Sequence, residues 1–99
     1  MAWASEYIVK LQAGQTVSFR PHGNSMSGKI ESGQLCTVEP IKNLIEKNDV
    51  VLCKVSGKEY LHLVKDVHGE RYLIGNNKGG LNGWVSKNSI FGKLIKIEK

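Results

Sequence analysis

The residue of this sequence best suited to chemistry is a serine on a glycine-bounded turn. Ser25 lies in the stretch Gly23-Asn24-Ser25-Met26, and glycine and asparagine favour tight turns because both adopt positive φ at low cost. A serine hydroxyl is almost fully protonated at neutral pH, so it attacks a carbonyl carbon only when a base lies within hydrogen-bond reach. Ser25 is therefore either a simple turn residue or a nucleophile, and the choice depends on finding its base.

Two candidate bases, His62 and Lys65, lie on a predicted strand at residues 59–67. Side chains alternate along a strand, so two residues three positions apart point to opposite faces and only one of them can face Ser25. Each also has a simpler interpretation. His62 suits a half-buried strand histidine bonded to the backbone, and Lys65 suits a solvated lysine near a strand end.

The elements that must position these residues are mostly short strands. Residues 1–14 are predicted as an N-terminal helix, because apolar residues recur there at helical spacing before Gly14, although the alternation within 7–11 would also suit a strand. Apolar and β-branched runs predict further strands at residues 16–20, 34–40, 49–55, 59–67, 71–75, 83–85 and 90–98. Short strands joined by turn signals predict one mainly β domain over residues 1–99, a small barrel or sandwich with a short N-terminal helix.

Composition limits the classes of function. The chain has 99 residues, 40% of them hydrophobic, and no apolar run approaches the roughly 20 residues of a membrane span. No basic region followed by an apolar stretch opens the chain, so the expected location is cytoplasmic. Cys36 and Cys53 lie in apolar runs, which indicates buried thiols rather than a disulfide. Neither has a second cysteine or histidine at metal-ligand spacing, so neither a metal nor a cofactor is expected.

A net charge of +5 raises the question of a nucleic-acid partner. The lysines are spread along the chain, and the densest run, "KLIKIEK", alternates charge with apolar residues as a strand with one solvated face does. Trp84 near Lys87 is the single hint of an aromatic residue beside basic charge, and Trp84 also suits a core or cleft-lining position. A role in nucleic-acid binding is therefore not the expected one.

Five boxes in order along residues 19–97 resemble the serine-peptidase superfamily of the LexA-type self-cleaving repressors and the type I signal peptidases. Ser25-Met26 is similar to the nucleophile motif, and Gly33 follows at the signal-peptidase spacing. "NDVV" resembles the run that opens the next strand. "YLIGNN" resembles the Gly-Asp-Asn box, and "IFGKL" resembles the closing strand. The resemblance implies the superfamily's fold.

The resemblance also implies site residues. The general base falls at His62, as in the histidine-type signal peptidases, and not at Lys65. The Ser25 amide, on a turn shaped by Gly23 and Asn24, would form the oxyanion hole. Met26, Asn76 and Asn77 would support the site.

Three departures from the superfamily's pattern qualify the implied activity. Ser27-Gly28 replaces the usual proline, Gln34 stands where the superfamily has aspartate, and Asn76 replaces the aspartate of the Gly-Asp-Asn box. An amide cannot stabilise an imidazolium by charge, so Asn76 in that place would imply a weaker base.

Four functions remain open from the sequence. The first is a serine peptidase in which Ser25 and His62 cleave a protein or peptide laid along a cleft. Self-cleavage at Ala13-Gly14 is the second, although that bond lies only eleven residues before Ser25 and would need a nearly extended segment. The third is a non-catalytic member that acts as a protein-binding or phage structural module, and the fourth is nucleic-acid binding. An exposed strand edge also makes a homo-oligomer conceivable.

Overall fold

A computed structural model describes residues 3–99, which form one helix and seven strands. The elements are α1 (Ser5–Gln12), β1 (Val17–Phe19), β2 (Leu35–Pro40), β3 (Val50–Val55), β4 (Lys58–His68), β5 (Arg71–Gly75), β6 (Leu81–Ser86), a 3₁₀ turn (Lys87–Ser89) and β7 (Ile90–Glu98). The prediction of a mainly β fold with a short N-terminal helix is confirmed. Residues 1 and 2 of the predicted helix lie outside the described part of the chain.

Helix α1 begins after Ala4 and ends at Gln12, two residues before a glycine. Ile8 and Leu11, one turn apart, are its buried residues, as the helical spacing predicts. Gly14 follows with φ of +86°, and the amides of Gly14 and Gln15 donate to carbonyl oxygens of the last turn at 3.0 and 2.9 Å. The left-handed conformation of Gly14 lets these amides bond the last carbonyl groups of the helix. Glycine adopts that conformation without strain, which is why it stands there.

The seven strands form a single antiparallel sheet in the order β1-β2-β7-β3-β4-β5-β6. Strand β7 lies between β2 and β3, pairing Leu94 with Val38 on one side and Gly92 with Leu52 on the other. The chain between β1 and β2 carries Ser25, and β4 carries His62. Strand β7 therefore joins the part of the sheet beside the serine turn to the part that holds the histidine.

Two apolar clusters cover opposite faces of the sheet. Leu52 packs with the helix residues in one cluster, whereas its neighbours Val51 and Cys53 belong to the other. This explains the continuous apolar run that opens β3, because both faces of that strand are buried. The sheet also curls: a Cβ added at Gly83 on β6 would lie 3.4 Å from a methyl group of Val55 on β3.

Both cysteines are buried free thiols, in agreement with the prediction. Burial raises the pKa of the Cys36 thiol, and burial raises the pKa of Cys53 to about 12. Over residues 3–99, the structure contains no helix whose length and hydropathy would suit a membrane crossing.

Candidate active site

The turn that carries Ser25 is anchored in the core by the residue that follows the serine. The Met26 side chain is only 5% exposed and packs in the same cluster as Ile30. The Met26 carbonyl accepts the Ile30 amide at 2.8 Å, and the Asn24 carbonyl accepts the Ser27 amide at 3.1 Å. Buried anchors and local hydrogen bonds together hold Ser25 in one position, and Met26 is one of these anchors.

Asn77 secures the same turn from outside. Its amide donates to the Ser25 carbonyl at 2.9 Å, and its side-chain Nδ2 donates to the Ser27 carbonyl at 2.8 Å. A Cβ at Gly28 would lie 3.0 Å from that Nδ2, and the φ of Gly28 is +97°, so the turn needs a glycine there. The predicted supporting residue Asn77 thus contacts the serine turn directly.

Asn76 has a different place from the one implied by the resemblance. Its Oδ1 accepts the amides of Lys78 and Gly80, both at 2.8 Å, and its own amide donates to the Gly80 carbonyl at 2.9 Å. Asn76 therefore closes the loop between β5 and β6. The His62 ring donates its hydrogen bond to another residue, Asn82.

Ser25 and His62 lie within hydrogen-bond distance of each other. The Ser25 Oγ is 3.1 Å from His62 Nε2. His62 pairs with Val51 in the register of β3 and β4, and the histidine is 7% exposed. This separation lies within the range that a serine nucleophile and its general base require.

The second nitrogen of the His62 ring is bonded to Asn82. His62 Nδ1 donates to Asn82 Oδ1 at 2.7 Å. Since the amide oxygen can only accept, Nδ1 carries the proton and Nε2 is left free to accept the Ser25 hydroxyl proton. The result is a chain of Ser, His and Asn side chains in which each orients the next.

Sequence reasoning missed Asn82 because its position depends on a β-bulge. Gly75 pairs with Leu81 and Ile74 pairs with Gly83, so Asn82 is the extra residue of β6. A bulge leaves one residue unpaired and redirects its side chain. Gly83, with φ of +141°, follows Asn82 directly, and a glycine within a strand is a local signal of such an irregularity.

Burial and hydrogen bonding act in opposite directions on the His62 ring. Burial lowers the pKa of His62 below its ordinary value, and the hydrogen bond to Asn82 partly opposes this effect. The ring is therefore neutral at pH 7, which is the protonation state that a general base requires.

The other candidate base, Lys65, is directed toward a backbone carbonyl. Its Nζ donates to the Asn76 carbonyl oxygen at 3.0 Å. The register between β4 and β5 shifts at Lys65, so the simple alternation of side chains is interrupted there. Of the two candidates, His62 is the one that the structure brings to Ser25.

The resemblance implies that the Ser25 amide is the donor for an oxyanion. The Gly23 amide already donates to Ser32 Oγ at 3.1 Å, so it is occupied. Within residues 3–99, no backbone carbonyl accepts a hydrogen bond from the Ser25 amide. Of the predicted group, Gly23 and Asn24 shape the turn, and the Ser25 amide remains available.

Ser25 and His62 line an open cleft of about 360 Å³, a size typical of ligand sites. Its lining includes residues 20–23 of the serine loop and residues 59–62 of β4, together with Met26 and Ile30. Trp84, the candidate nucleic-acid contact, is 43% exposed on β6 and is not among the cleft residues. Over residues 3–99, no three metal-ligating side chains are grouped.

One wall of the cleft is a strand edge without a neighbour. Strand β5 pairs with β4 only from Leu63 onward, which leaves residues 59–62 unpaired on that side. The backbone amide and carbonyl of Val64 form hydrogen bonds toward the start of β3. Backbone polar groups alternate in direction along a strand, so those of the odd-numbered residues of β4 point away from β3. The amide and carbonyl of Leu61 consequently face the cleft.

Comparison with known proteins agrees with the resemblance found in the sequence. No curated protein matches the chain closely enough to count as a relative. Residues 1–95, nearly the whole chain, match the family described as Peptidase S24-like. That match confirms the predicted relation to the LexA and signal-peptidase superfamily. The chain belongs to the Peptidase S24-like family.

Proposed function

We propose that this protein hydrolyses peptide bonds, with Ser25 as nucleophile, His62 as general base and Asn82 as the residue that orients His62. The observation that carries the proposal is the 3.1 Å contact between Ser25 Oγ and His62 Nε2, made by a ring whose other nitrogen donates to Asn82. An activated serine needs such a base, held in the correct tautomer by a third group.

The reaction would proceed in two halves. Ser25 Oγ attacks the peptide carbonyl carbon while its proton passes to His62 Nε2, and the Ser25 amide stabilises the negative oxygen of the tetrahedral intermediate. His62 then gives the proton to the departing amine nitrogen, which leaves an ester on Ser25. A water molecule attacks that ester as His62 takes its proton. The proton returns to Ser25 Oγ when the acid product departs.

The substrate class follows from the free edge of β4. An extended peptide that lies along residues 59–62 would bond the amide and carbonyl of Leu61 as an added strand. A peptide from another molecule suits this edge better than the chain's own Ala13-Gly14 bond. Ala13 and Gly14 end helix α1, and their amides donate to carbonyl oxygens of the helix.

A second candidate, peptide binding without cleavage, is favoured by the identity of Asn82. An amide holds the histidine tautomer but adds no negative charge to stabilise an imidazolium, unlike an aspartate. In this alternative the same cleft and the same edge of β4 would bind a peptide, and the Ser25 ester would not form.

A fluorophosphonate probe distinguishes the two candidates, because it phosphonylates an activated serine far faster than an ordinary hydroxyl group. We expect the wild-type protein to gain one probe mass and Ser25→Ala to gain none. His62→Ala should react about 10²- to 10⁴-fold more slowly. His68→Ala is the matched control, because His68 is an exposed histidine on the same strand, and it should react like the wild type. Peptide binding with no labelling would favour the non-catalytic candidate.

A further inference from the structure

The segment that leads into helix α1 is tied to the cleft wall through one carboxylate. The Ala4 amide donates to Glu59 Oε1 at 2.6 Å, and Ser5 Oγ donates to Glu59 Oε2 at 3.1 Å. The Glu59 side chain is fully buried, as is Ala4. These contacts give the segment a defined place on β4, beside the candidate active site.

The same segment places Trp3 on the unpaired edge of β4. Trp3 Nε1 donates to the Glu59 carbonyl oxygen at 3.1 Å, and the indole packs edge-on against Phe19 with the ring centres 5.5 Å apart. Trp3 lines the cleft and remains 48% exposed. The Glu59 carbonyl faces the cleft, as the Leu61 carbonyl does. The indole N–H of Trp3 therefore occupies a hydrogen-bond acceptor that a bound peptide strand would use.

We propose that Trp3 is a specificity-determining residue that closes one end of the peptide-binding edge. This inference rests on the proposed function and adds the length of peptide that the site accepts. His62 lies three residue steps along the strand from Glu59, or about 10 Å of extended chain. Between Trp3 and the position of His62, the cleft therefore holds about three residues of an extended peptide. A longer peptide must displace the indole or leave the strand edge.

The direct test is a map of cleavage positions in an equimolar mixture of defined 14-residue peptides, read by mass spectrometry. The wild-type protein should cut bonds within three residues of one peptide end at least about fivefold faster than central bonds. A peptide that extends past Trp3 loses hydrogen bonds to the strand edge, which accounts for this difference. Trp3→Ala should reduce that preference to about twofold or less, because the edge is then open at Glu59.

Two further variants separate the role of Trp3 from general damage to the fold. Trp3→Phe keeps an aromatic ring against Phe19 and removes the indole N–H, so its preference should fall between those of the wild type and Trp3→Ala. Trp84→Ala removes the exposed tryptophan of β6 and should cut like the wild type. The inference is overturned if the wild-type protein cuts central and terminal bonds equally, or if Trp3→Ala leaves the pattern unchanged.

A binding measurement tests the role of Trp3 even if the protein cuts no peptide. The absence of cleavage would contradict the proposed hydrolysis but not the role of Trp3 in peptide binding. The chain has two tryptophans, so Trp84→Phe leaves Trp3 as the single indole emitter. Binding of the same 14-residue peptides is followed by the anisotropy of a label on the peptide. Binding of these peptides should shift the fluorescence emission of Trp3, whereas tripeptides should bind without that shift. Binding of the long peptides without a shift, or no binding at all, would overturn the inference.

Discussion

At the scale of single residues, the neutral amide of Asn82 sets the chemistry of His62. The amide fixes which ring nitrogen carries the proton, through a 2.7 Å hydrogen bond, but it adds no charge. Burial therefore dominates and lowers the pKa of His62. With a lowered pKa, the His62 ring stays deprotonated into mildly acidic solution, and in that state it can accept a proton.

Substitution of Asn82 should change the pH dependence and the rate separately. Asn82→Asp places a carboxylate beside Nδ1 and should raise the pKa of His62, so that the acidic limb of the kcat/KM profile moves to higher pH. Asn82→Ala should lower kcat/KM about 5- to 100-fold, because a buried hydrogen bond that orients the ring is lost.

An NMR titration of the His62 ring measures the same effect without catalysis. The midpoint should rise in Asn82→Asp relative to the wild type, and the ring nitrogen shifts should report loss of the fixed tautomer in Asn82→Ala. Signals of the exposed His68 should be the same in all three proteins. Equal His62 midpoints in the three proteins would contradict the role of Asn82.

His62 also couples stability to pH. Its folded pKa lies below the unfolded value of about 6.5, so the unfolded chain takes up a proton first as the pH falls. The stabilising effect of a neutral His62 is complete above that unfolded value and is lost as the pH falls toward the folded pKa. Urea denaturation at pH 7.5 and 5.5 should show a larger loss of unfolding free energy for the wild type than for His62→Gln. Equal losses would contradict the burial effect.

The pairing of Ser25 with His62 was predictable, and the role of Asn82 was not. The turn residues around Ser25 and the box order pointed to His62 on the second strand of a hairpin, where the structure has it. Asn82 reaches His62 only because a bulge makes it an extra residue of β6. Bulges depend on pairing between distant segments, and alternation along one segment does not reveal them.

At the scale of elements, Glu59 connects strand β4 to the start of helix α1. Glu59→Ala would leave the buried Ala4 amide without its acceptor, which should lower the free energy of unfolding by about 1–3 kcal/mol. Urea denaturation measures the change. Glu6→Ala is the control, because Glu6 is exposed and its ion pair with Lys10 is 3.8 Å long; it should change stability by less than about 0.5 kcal/mol. Equal effects would exclude the anchoring role.

Gly92 allows β7 to lie close to its neighbours. A Cβ there would approach a Val38 methyl group at 2.6 Å, the Glu39 carbonyl oxygen at 2.8 Å and a Leu11 methyl group at 3.0 Å. Gly92→Ala should therefore destabilise the fold by about 1–3 kcal/mol through overpacking, measured as a lower urea midpoint. An unchanged midpoint would show that β2 and α1 can move aside.

The individual strands were predictable from alternation and turn residues, but their order was not. Strand β5 has the predicted bounds, and β2 begins one residue later than predicted. The position of β7 between β2 and β3 comes from long-range pairing, about which periodicity along the chain carries no information.

At the scale of the whole molecule, the two buried thiols report global opening. Cys36 and Cys53 lie in separate apolar clusters and are both 0% exposed. Burial raises the pKa of both, that of Cys53 to about 12, so little reactive thiolate is present near neutral pH. A disulfide reagent such as Ellman's should modify neither thiol rapidly in the native protein at pH 8, and both in concentrated urea. Fast modification of one thiol under native conditions would indicate local opening of its cluster.

The insertion of β7 between β2 and β3 has a consequence for the order of folding. The serine turn precedes β2, and His62 and Asn82 follow β3, so the sheet is continuous across the site only once residues 90–98 have paired on both sides. Pairings so distant in sequence form slowly, because the entropy of closing long loops is lost before the contacts are gained. During synthesis, the ribosome must therefore release β7 before the sheet can join the two parts of the candidate site, and the nascent chain holds Ser25 and His62 in separate parts of the sheet until then.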